Sequence, residues 1–314
     1  MRAIRVTAWN EPLVVGEVPD PVRSPGHTLI EIHAATVGHV DRTIWSGGFL
    51  RHPPLPYTPG VEGAGIVLAS DTYVVGDRVW IRGGGLGTAT DGTWAEQVAA
   101  PDTAIGRLPD AVSFDIGSAF FSPCTSAWVA IHTIGELQSG QRVIVTGGTG
   151  AVGAMCVQLA IDVGADVVAT VSRAERLTTL PRSATGVVAD GRNSLEIEPA
   201  DLLVDTVGGA VLSSVLPFVQ PGGRAVLIGY IAGPTVEIDL PTFMQRDVSL
   251  HPLNMIRREA QGRAVADELL TRLTDGRLSL DVTSFTFDSA GAALDWLVEP
   301  GHVGRAVLTP GDLR

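Results

Sequence analysis

The residues whose types and spacing most plainly do chemistry lie in "VIVTGGTGAVGAMCVQLAIDVGADVVATVSRAERL", from Val143 to Leu177. Gly148, Gly150 and Gly153 satisfy G-x-G-x-x-G, and the stretch reads as strand, turn, helix and second strand. That setting turns a common glycine pattern into a dinucleotide site. The first glycine is expected to allow the tight turn and the second to let the backbone approach a pyrophosphate. The third lets helix and strand pack closely. Thr149, Ala151 and Val152 then place the helix N-terminus, with its unpaired N–H groups, toward the phosphates. The second strand ends on Ser172 and Arg173, with Arg176 following, where an NAD site carries Asp or Glu for the ribose 2′-hydroxyl. A carboxylate there would repel a 2′-phosphate, whereas a hydroxyl and two guanidiniums are suited to bind one. The expected cofactor is NADPH.

These groups need a sheet to hold them, and the chain supplies one. From about Phe114 the texture changes from short strands broken by Gly and Pro to alternating strands and helices. "SFDIGSAFFSPCTSAWVAIHTIG" has helical spacing and is expected to end at Gly135. After "RVIVT" comes a helix whose face is read as Val152, Cys156, Leu159 and Val163, stopped by Gly164. "DVVATV", "GVVAD", "DLLVDTV" and "GRAVLIG" are near-continuous apolar runs, the pattern of a parallel sheet buried on both faces. "VEIDL" and "DVSLHPL" follow, then a helix through "RREAQGRAVADELLTRLTDG", and "HVGRAVLTP" closes the chain as a strand. Upstream, "HTLIEIHAATVG", "GVEGAGIVLA" and "DRVWIRGGG" read as strands of an all-β, barrel-type region.

Composition excludes several function classes. The net charge is −12 over 314 residues, and no basic stripe for a phosphate backbone is present, so nucleic acid is not an expected partner. All 22 basic residues are arginine; without lysine there is no Schiff base and no Walker-type phosphate loop. Cys124 and Cys156 are too few for a disulfide framework or a cysteine zinc site. No run reaches the roughly 18 apolar residues of a membrane span, and the N-terminus has no signal-peptide core. A cytoplasmic protein with no membrane partner is expected.

A resemblance is carried by "PYTPGVEGAGIV" (56–67), "VGDRVW" (75–80), "GTWAEQVAAP" (92–101), "LPDAVSFDIGSAF" (108–120), "TGGTGAVG" (146–153), "DLLVDTVGG" (201–209) and "HVGRAVL" (302–308). In this order and over nearly the whole length they resemble the medium-chain dehydrogenase/reductases, in the zinc-free quinone oxidoreductase branch. The resemblance implies a GroES-like catalytic domain, 1–118 completed by 255–314, and a Rossmann-type doubly wound domain, 119–254. The cofactor is expected in the cleft between them. It also implies a homodimer paired through Rossmann edge strands, with "AVLIGYIAG" to "VEIDL" as the candidate segment.

Zinc members of that family bind the metal through a cysteine, a histidine in G-H-E, and a Cys or His before a later helix. The matching positions here are Gly38, Val61 and Phe121, the hydroxyl relay position is Val40, and the four-cysteine lobe is missing. Histidines 27, 33, 39, 52, 132, 251 and 302 show no paired spacing to rebuild a site. No metal is expected. Without a Lewis acid a simple ketone is hard to polarise, whereas a quinone or enone accepts hydride more readily. The expected activity is therefore NADPH-dependent reduction of a quinone or an α,β-unsaturated carbonyl. A zinc-independent carbonyl reductase and a non-catalytic NADPH-binding sensor are the alternatives.

The candidate catalytic residues are His39 and Thr43, which flank Asp41 in the active-site loop, and Tyr57 in "PYTPG" as a proton donor. By resemblance, Asp41 orders that loop beside the cofactor and Thr125 opens the helix at the domain junction, near the nicotinamide. Gly229 and Tyr230 are read as following the last Rossmann strand, where the backbone passes the cofactor, and Gly304–Arg305 replace a Gly-Lys pair. Three positions depart from the branch: Gly38 replaces an asparagine, Thr43 a tyrosine, and Asp190 the tyrosine that commonly packs beside the 2′-phosphate.

Overall fold

In the second half of the chain, strands of almost unbroken Val, Leu, Ile and Ala can be buried on both faces only if helices cover a parallel sheet. The computed structural model, which describes residues 1–49, 52–299 and 302–311, contains that sheet. Its six strands are all parallel and run Ala184–Val188, Asp166–Val171, Arg142–Val145, Ala200–Asp205, Val219–Leu227, Ser249–Pro252 across the sheet. Within this unit the order is 3-2-1-4-5-6, the doubly wound arrangement, with the topological switch between the first and fourth strands. Val143, Ile144, Val145, Leu203 and Val204 are fully buried. Helix Ala151–Val163 follows the first strand and ends at Gly164, whose φ of 84° is the left-handed cap expected there. Its buried face is Gly153, Met155, Cys156, Val157, Leu159 and Ala160; Val152 and Val163 lie at its edges.

The other unit is built on alternation. His27–Val37 alternates between buried and partly exposed residues, and it pairs antiparallel with Glu62–Ala69, Gln97–Pro101 and Arg305–Thr309. Register shifts between Leu29 and Ile30 and between Ile32 and Ala34 bend this strand, as bulges do. The sheet continues through Arg78–Arg82 to Ile105–Arg107 on one side and to Val282–Thr286 on the other. Ile30, Ile32, Ile81 and Trp94 fill its core, and the Trp94 indole donates to the Thr36 carbonyl at 3.0 Å.

The two compact units are Met1–Phe121 with Leu280–Arg314, and Ser122–Ser279. The return to the first unit therefore begins at Leu280 and not at 255. Helix Glu259–Thr274 belongs to the parallel-sheet unit because its contacts lie there: Gly262 sits against Thr125, and Arg272 pairs with Asp162 and covers the Trp128 ring. Two other readings change. The helical stretch from Phe114 is two helices, Phe114–Ala119 and Phe121–Trp128, followed by a wider π-type turn over Val129–Ile134. The stretch ends at Gly135 as expected, with the left-handed residue one later at Glu136; a Cβ on Gly135 would meet the Ala130 carbonyl oxygen at 2.4 Å. "VEIDL" forms no strand, and the edge of the sheet is Ser249–Pro252.

Candidate functional site

Within the parallel-sheet unit the glycine loop is defined by what its glycines touch. Gly147, not Gly148, takes the left-handed turn, with φ of 65°. The motif template begins one residue later, which is why the sequence reading placed the turn at Gly148. Gly148 instead presses on the second strand, where a Cβ would lie 2.8 Å from the Ala169 Cβ. Gly150 is the extended N-cap of helix Ala151–Val163 and donates its N–H to the Gly147 carbonyl at 2.9 Å. A Cβ on Gly153 would lie 2.1 Å from the same Gly147 oxygen, so helix and loop backbones meet there. Gly153→Ala is expected to cost about 2–3 kcal/mol by overpacking a backbone contact that cannot move aside. Gly150→Ala, whose Cβ would find only the Gly147 oxygen at 3.4 Å, is expected to unfold near the wild-type temperature. Thermal unfolding of the two variants checks this contrast.

The sequence-predicted residues at the end of the second strand come to this loop. Arg176 donates from Nη1 to the Thr149 hydroxyl at 3.2 Å, joining the two motifs. Burial and then the Arg173 charge lower the Arg176 pKa, so the two guanidiniums share one positive region. Ser172 and Arg173 are exposed. Asp190 is turned aside: its Oδ1 accepts the N–H groups of Arg192 and Asn193 in a local turn.

At the switch point a buried network escaped the sequence reading. Asp205 accepts the Thr146 hydroxyl at 2.6 Å on Oδ1 and the Gly208 N–H at 2.9 Å on Oδ2. Thr206 donates its N–H to the Thr146 hydroxyl and its own hydroxyl to the Thr146 carbonyl. The first and fourth strands are thereby latched at their C-terminal ends, next to the glycine loop. The signal was present: a single acid closes the otherwise apolar "DLLVD" run. Gly229 packs beside this latch, where a Cβ would lie 2.3 Å from the Thr206 oxygen, and Tyr230 is 69% exposed. Thr125 is fully buried, mid-helix, against Gly262.

In the other unit, helix His39–Trp45 opens at Gly38, and Asp41 folds back over its own first turn. The Asp41 Oδ2 accepts the Gly38 N–H at 2.9 Å and Oδ1 accepts the Val61 N–H at 3.1 Å. Both oxygens of this 1%-exposed carboxyl are engaged inside the protein, so Asp41 orders the loop and offers no free oxygen to a ligand. Next to Val61, the buried Glu62 is held by Arg305 at 2.6 Å and faces Arg82 at 3.7 Å. Gly304, with φ of 79° and Asp281 against its backbone, makes the turn that delivers Arg305.

His39 remains solvent-accessible, but the protein packed around its ring, and then the charges of His302, Arg305 and Arg42, lower its pKa and keep it neutral near pH 7. Thr43 donates its hydroxyl to the His39 carbonyl at 2.7 Å; the expected role of polarising an acceptor would require that bond to break. Tyr57 is 1% exposed, packed with Val6, Ile44 and Val61, and its hydroxyl has no hydrogen-bond partner among the described residues. Burial, with the Asp41 charge adding, raises its pKa, so it is a protonated donor at neutral pH. Its segment is fixed by reciprocal backbone bonds with Val6, by the Thr58 N–H on Asp91, and by Arg5 on Thr58 and Asp91.

Residues 24–110 match the model of the alcohol dehydrogenase GroES-like domain, and residues 151–271 match that of the zinc-binding dehydrogenases. The mouse quinone oxidoreductase is 30% identical over 268 residues, 80% of this chain and 79% of that protein. The human quinone oxidoreductase is 27% identical over 266 residues, 80% and 79% of the two chains. Among solved structures, an alcohol dehydrogenase superfamily protein from Novosphingobium aromaticivorans superposes with a TM-score of 0.86 at 25% identity, covering 98% of this chain and 99% of that one. A mycobacterial protein solved with NADPH gives 0.85 at 24% identity, covering 99% and 100%.

The zinc named by the second family model does not fit this chain. Gly38, Val61 and Phe121 carry no donor atom, and Phe121 is stacked on Trp80 with ring centroids 4.8 Å apart. The space that a side chain on Gly38 would enter is bordered by the Arg305 Nη2 at 3.4 Å and the Asp41 Oδ2 at 3.5 Å. Among the described residues no group of three or more His, Cys, Asp or Glu is placed to hold a metal ion.

Proposed function

The chain belongs to the medium-chain dehydrogenase/reductase superfamily, in its quinone oxidoreductase-like branch, and we propose that it is an NADPH-dependent reductase of quinones or α,β-unsaturated carbonyls that works without zinc. What carries the reading is a dinucleotide loop retained in a chain whose Gly38, Val61 and Phe121 can supply no Lewis acid. An acceptor conjugated to its carbonyl is the kind that takes up hydride with hydrogen-bond donors alone.

The residues present fit the cofactor. Gly148 to Gly153 and the N-terminus of helix Ala151–Val163 would hold a pyrophosphate, and Ser172, Arg173 and Arg176 a 2′-phosphate. NADPH, when bound, supplies the hydride. Tyr57 would donate to the acceptor carbonyl; in an enone reduced at its β-carbon the C=C pair would shift to the α-carbon–carbonyl bond and the C=O pair to the oxygen, the charge that this hydroxyl would stabilise once uncovered. Tyr57 or solvent would supply the proton, to the α-carbon of an enone or to the oxygen of a quinone. Pairing of two copies through the open edge Ser249–Pro252, beside the exposed Leu240 and Met244, is part of this reading.

The test is anaerobic NADPH oxidation by metal-stripped protein with a quinone, a cyclic enone, an enoyl thioester and a saturated ketone, with products identified. Conjugate reduction with the ketone untouched supports the reading. Reduction of the ketone, or silence with every acceptor despite NADPH binding, overturns it. Tyr57→Phe separates function from fold. Removing a buried, unpartnered hydroxyl is expected to leave stability unchanged or up to about 1 kcal/mol higher. The loss of a substrate donor is expected to lower kcat/KM about a hundredfold. Denaturant titration and steady-state kinetics on the same sample check both parts.

A further inference from the structure

Asp41 joins two segments: Gly38, where the helix carrying His39 begins, and Val61, twenty residues after Asp41 at the end of the segment carrying Tyr57. Its side chain reaches both, with one carboxylate oxygen on each. We propose that Asp41 is a positioning residue whose buried carboxylate locks the His39 helix to the Tyr57 segment, and that only its ionised form holds both bonds. The proposal rests on the reductase reading given above.

An ionised carboxylate accepts both N–H groups with charge assistance. A protonated one carries an O–H that needs an acceptor of its own, and one oxygen becomes a weaker acceptor. The charged and titratable groups around it are His39 and Arg42 on its own helix, Tyr57 and Glu62 on the facing segment, and Arg305 on the C-terminal return. Arg82 stands behind Glu62, and His302 acts on His39. Glu62 is already taken up by Arg305 and Arg82. Burial pushes the Asp41 carboxyl up to about 7, with Glu62 adding, while the Gly38 and Val61 N–H groups and Arg305 pull the other way. The lock therefore changes state within the physiological range.

The sign of the linkage sets this apart from unfolding. With a folded-state pKa near 7 against 3.8 for the free group, Asp41's contribution to stability falls as pH rises from about 4 to about 7. Activity is expected to move the other way. In wild-type protein kcat/KM should be level above about pH 8 and fall about tenfold per unit below about pH 7. Glu62→Gln removes a like charge and should move the midpoint down; Arg305→Gln removes the opposing charge and should move it up. Asp41→Asn keeps the size, turns an NH₂ toward one of the two N–H groups, and should abolish the pH step. Two readouts are independent of turnover. A carboxylic-acid carbonyl band should appear between pH 8 and pH 6 in the infrared spectrum and be missing in Asp41→Asn. Amide exchange at Gly38 and Val61 should speed up at pH 6 beyond its intrinsic pH dependence. A flat wild-type profile, unchanged midpoints in the Glu62 and Arg305 variants, or no infrared band overturns the proposal. If no acceptor is reduced, the reductase reading fails, while the infrared and exchange data still decide whether the lock exists.

Discussion

Replacing Arg173 and Arg176 together by alanine is expected to lower kcat/KM for NADPH about a hundredfold while changing that for NADH less than about threefold. The estimate takes two charge-assisted contacts to a 2′-phosphate at about 1.5 kcal/mol each, the low end for partly solvated groups. Arg176 is half-buried and anchored on Thr149, and the charge on Arg173 disfavours its own; a phosphate placed between them relieves that repulsion. NADH has no such phosphate, so its reaction is the internal control. Arg176→Lys should not restore activity, because the ammonium keeps the charge but loses the fork that reaches Thr149 and a phosphate together. Equal losses with both cofactors would show that the arginines support the loop and do not read the phosphate. Steady-state kinetics with the two dinucleotides decide it.

Much of this was legible in the sequence because it rests on local rules. Apolar runs separated by helices specify the parallel sheet, and Gly164 stops its first helix because a left-handed cap suits glycine. What sequence could not place depends on distant partners. The left-handed turn falls on Gly147, where Val207 and Thr206, sixty residues away, also leave no room for a side chain, at 2.7 and 2.8 Å from a Cβ. Helix Glu259–Thr274 was assigned to the wrong unit because its sequence shows an amphipathic helix but not the Thr125 and Asp162 it packs on. At Thr43 and Asp41, types and spacing mark a polar loop, but only the fold shows that the hydroxyl donates to the His39 carbonyl and that the carboxylate accepts the Gly38 and Val61 N–H groups. Gly38 and Val61, where zinc relatives carry ligands, are here tied by a carboxylate to their backbone N–H groups.

Asp205→Ala is expected to destabilise the protein by about 2–4 kcal/mol and to weaken dinucleotide binding as well. The carboxylate does not help by its charge: burial raises its pKa, so ionisation is disfavoured there relative to water. It helps because the Thr146 hydroxyl and the Gly208 N–H are buried and have it as acceptor, and leaving each unsatisfied costs about 1–3 kcal/mol. Those two losses outweigh the gain from removing a poorly solvated charge. Asp205→Asn is expected to cost about 1–2 kcal/mol, since the amide oxygen can still accept from Gly208 while only the Thr146 hydroxyl loses its acceptor. Cofactor affinity follows stability because Thr206, held by the same latch, borders the turn at Gly147. Thermal unfolding with and without NADPH should show a larger fall for alanine than for asparagine, and a smaller NADPH-induced rise in Tm for alanine than for wild type. If both variants fall equally, the charge and not the pair of acceptor sites holds the strand ends together.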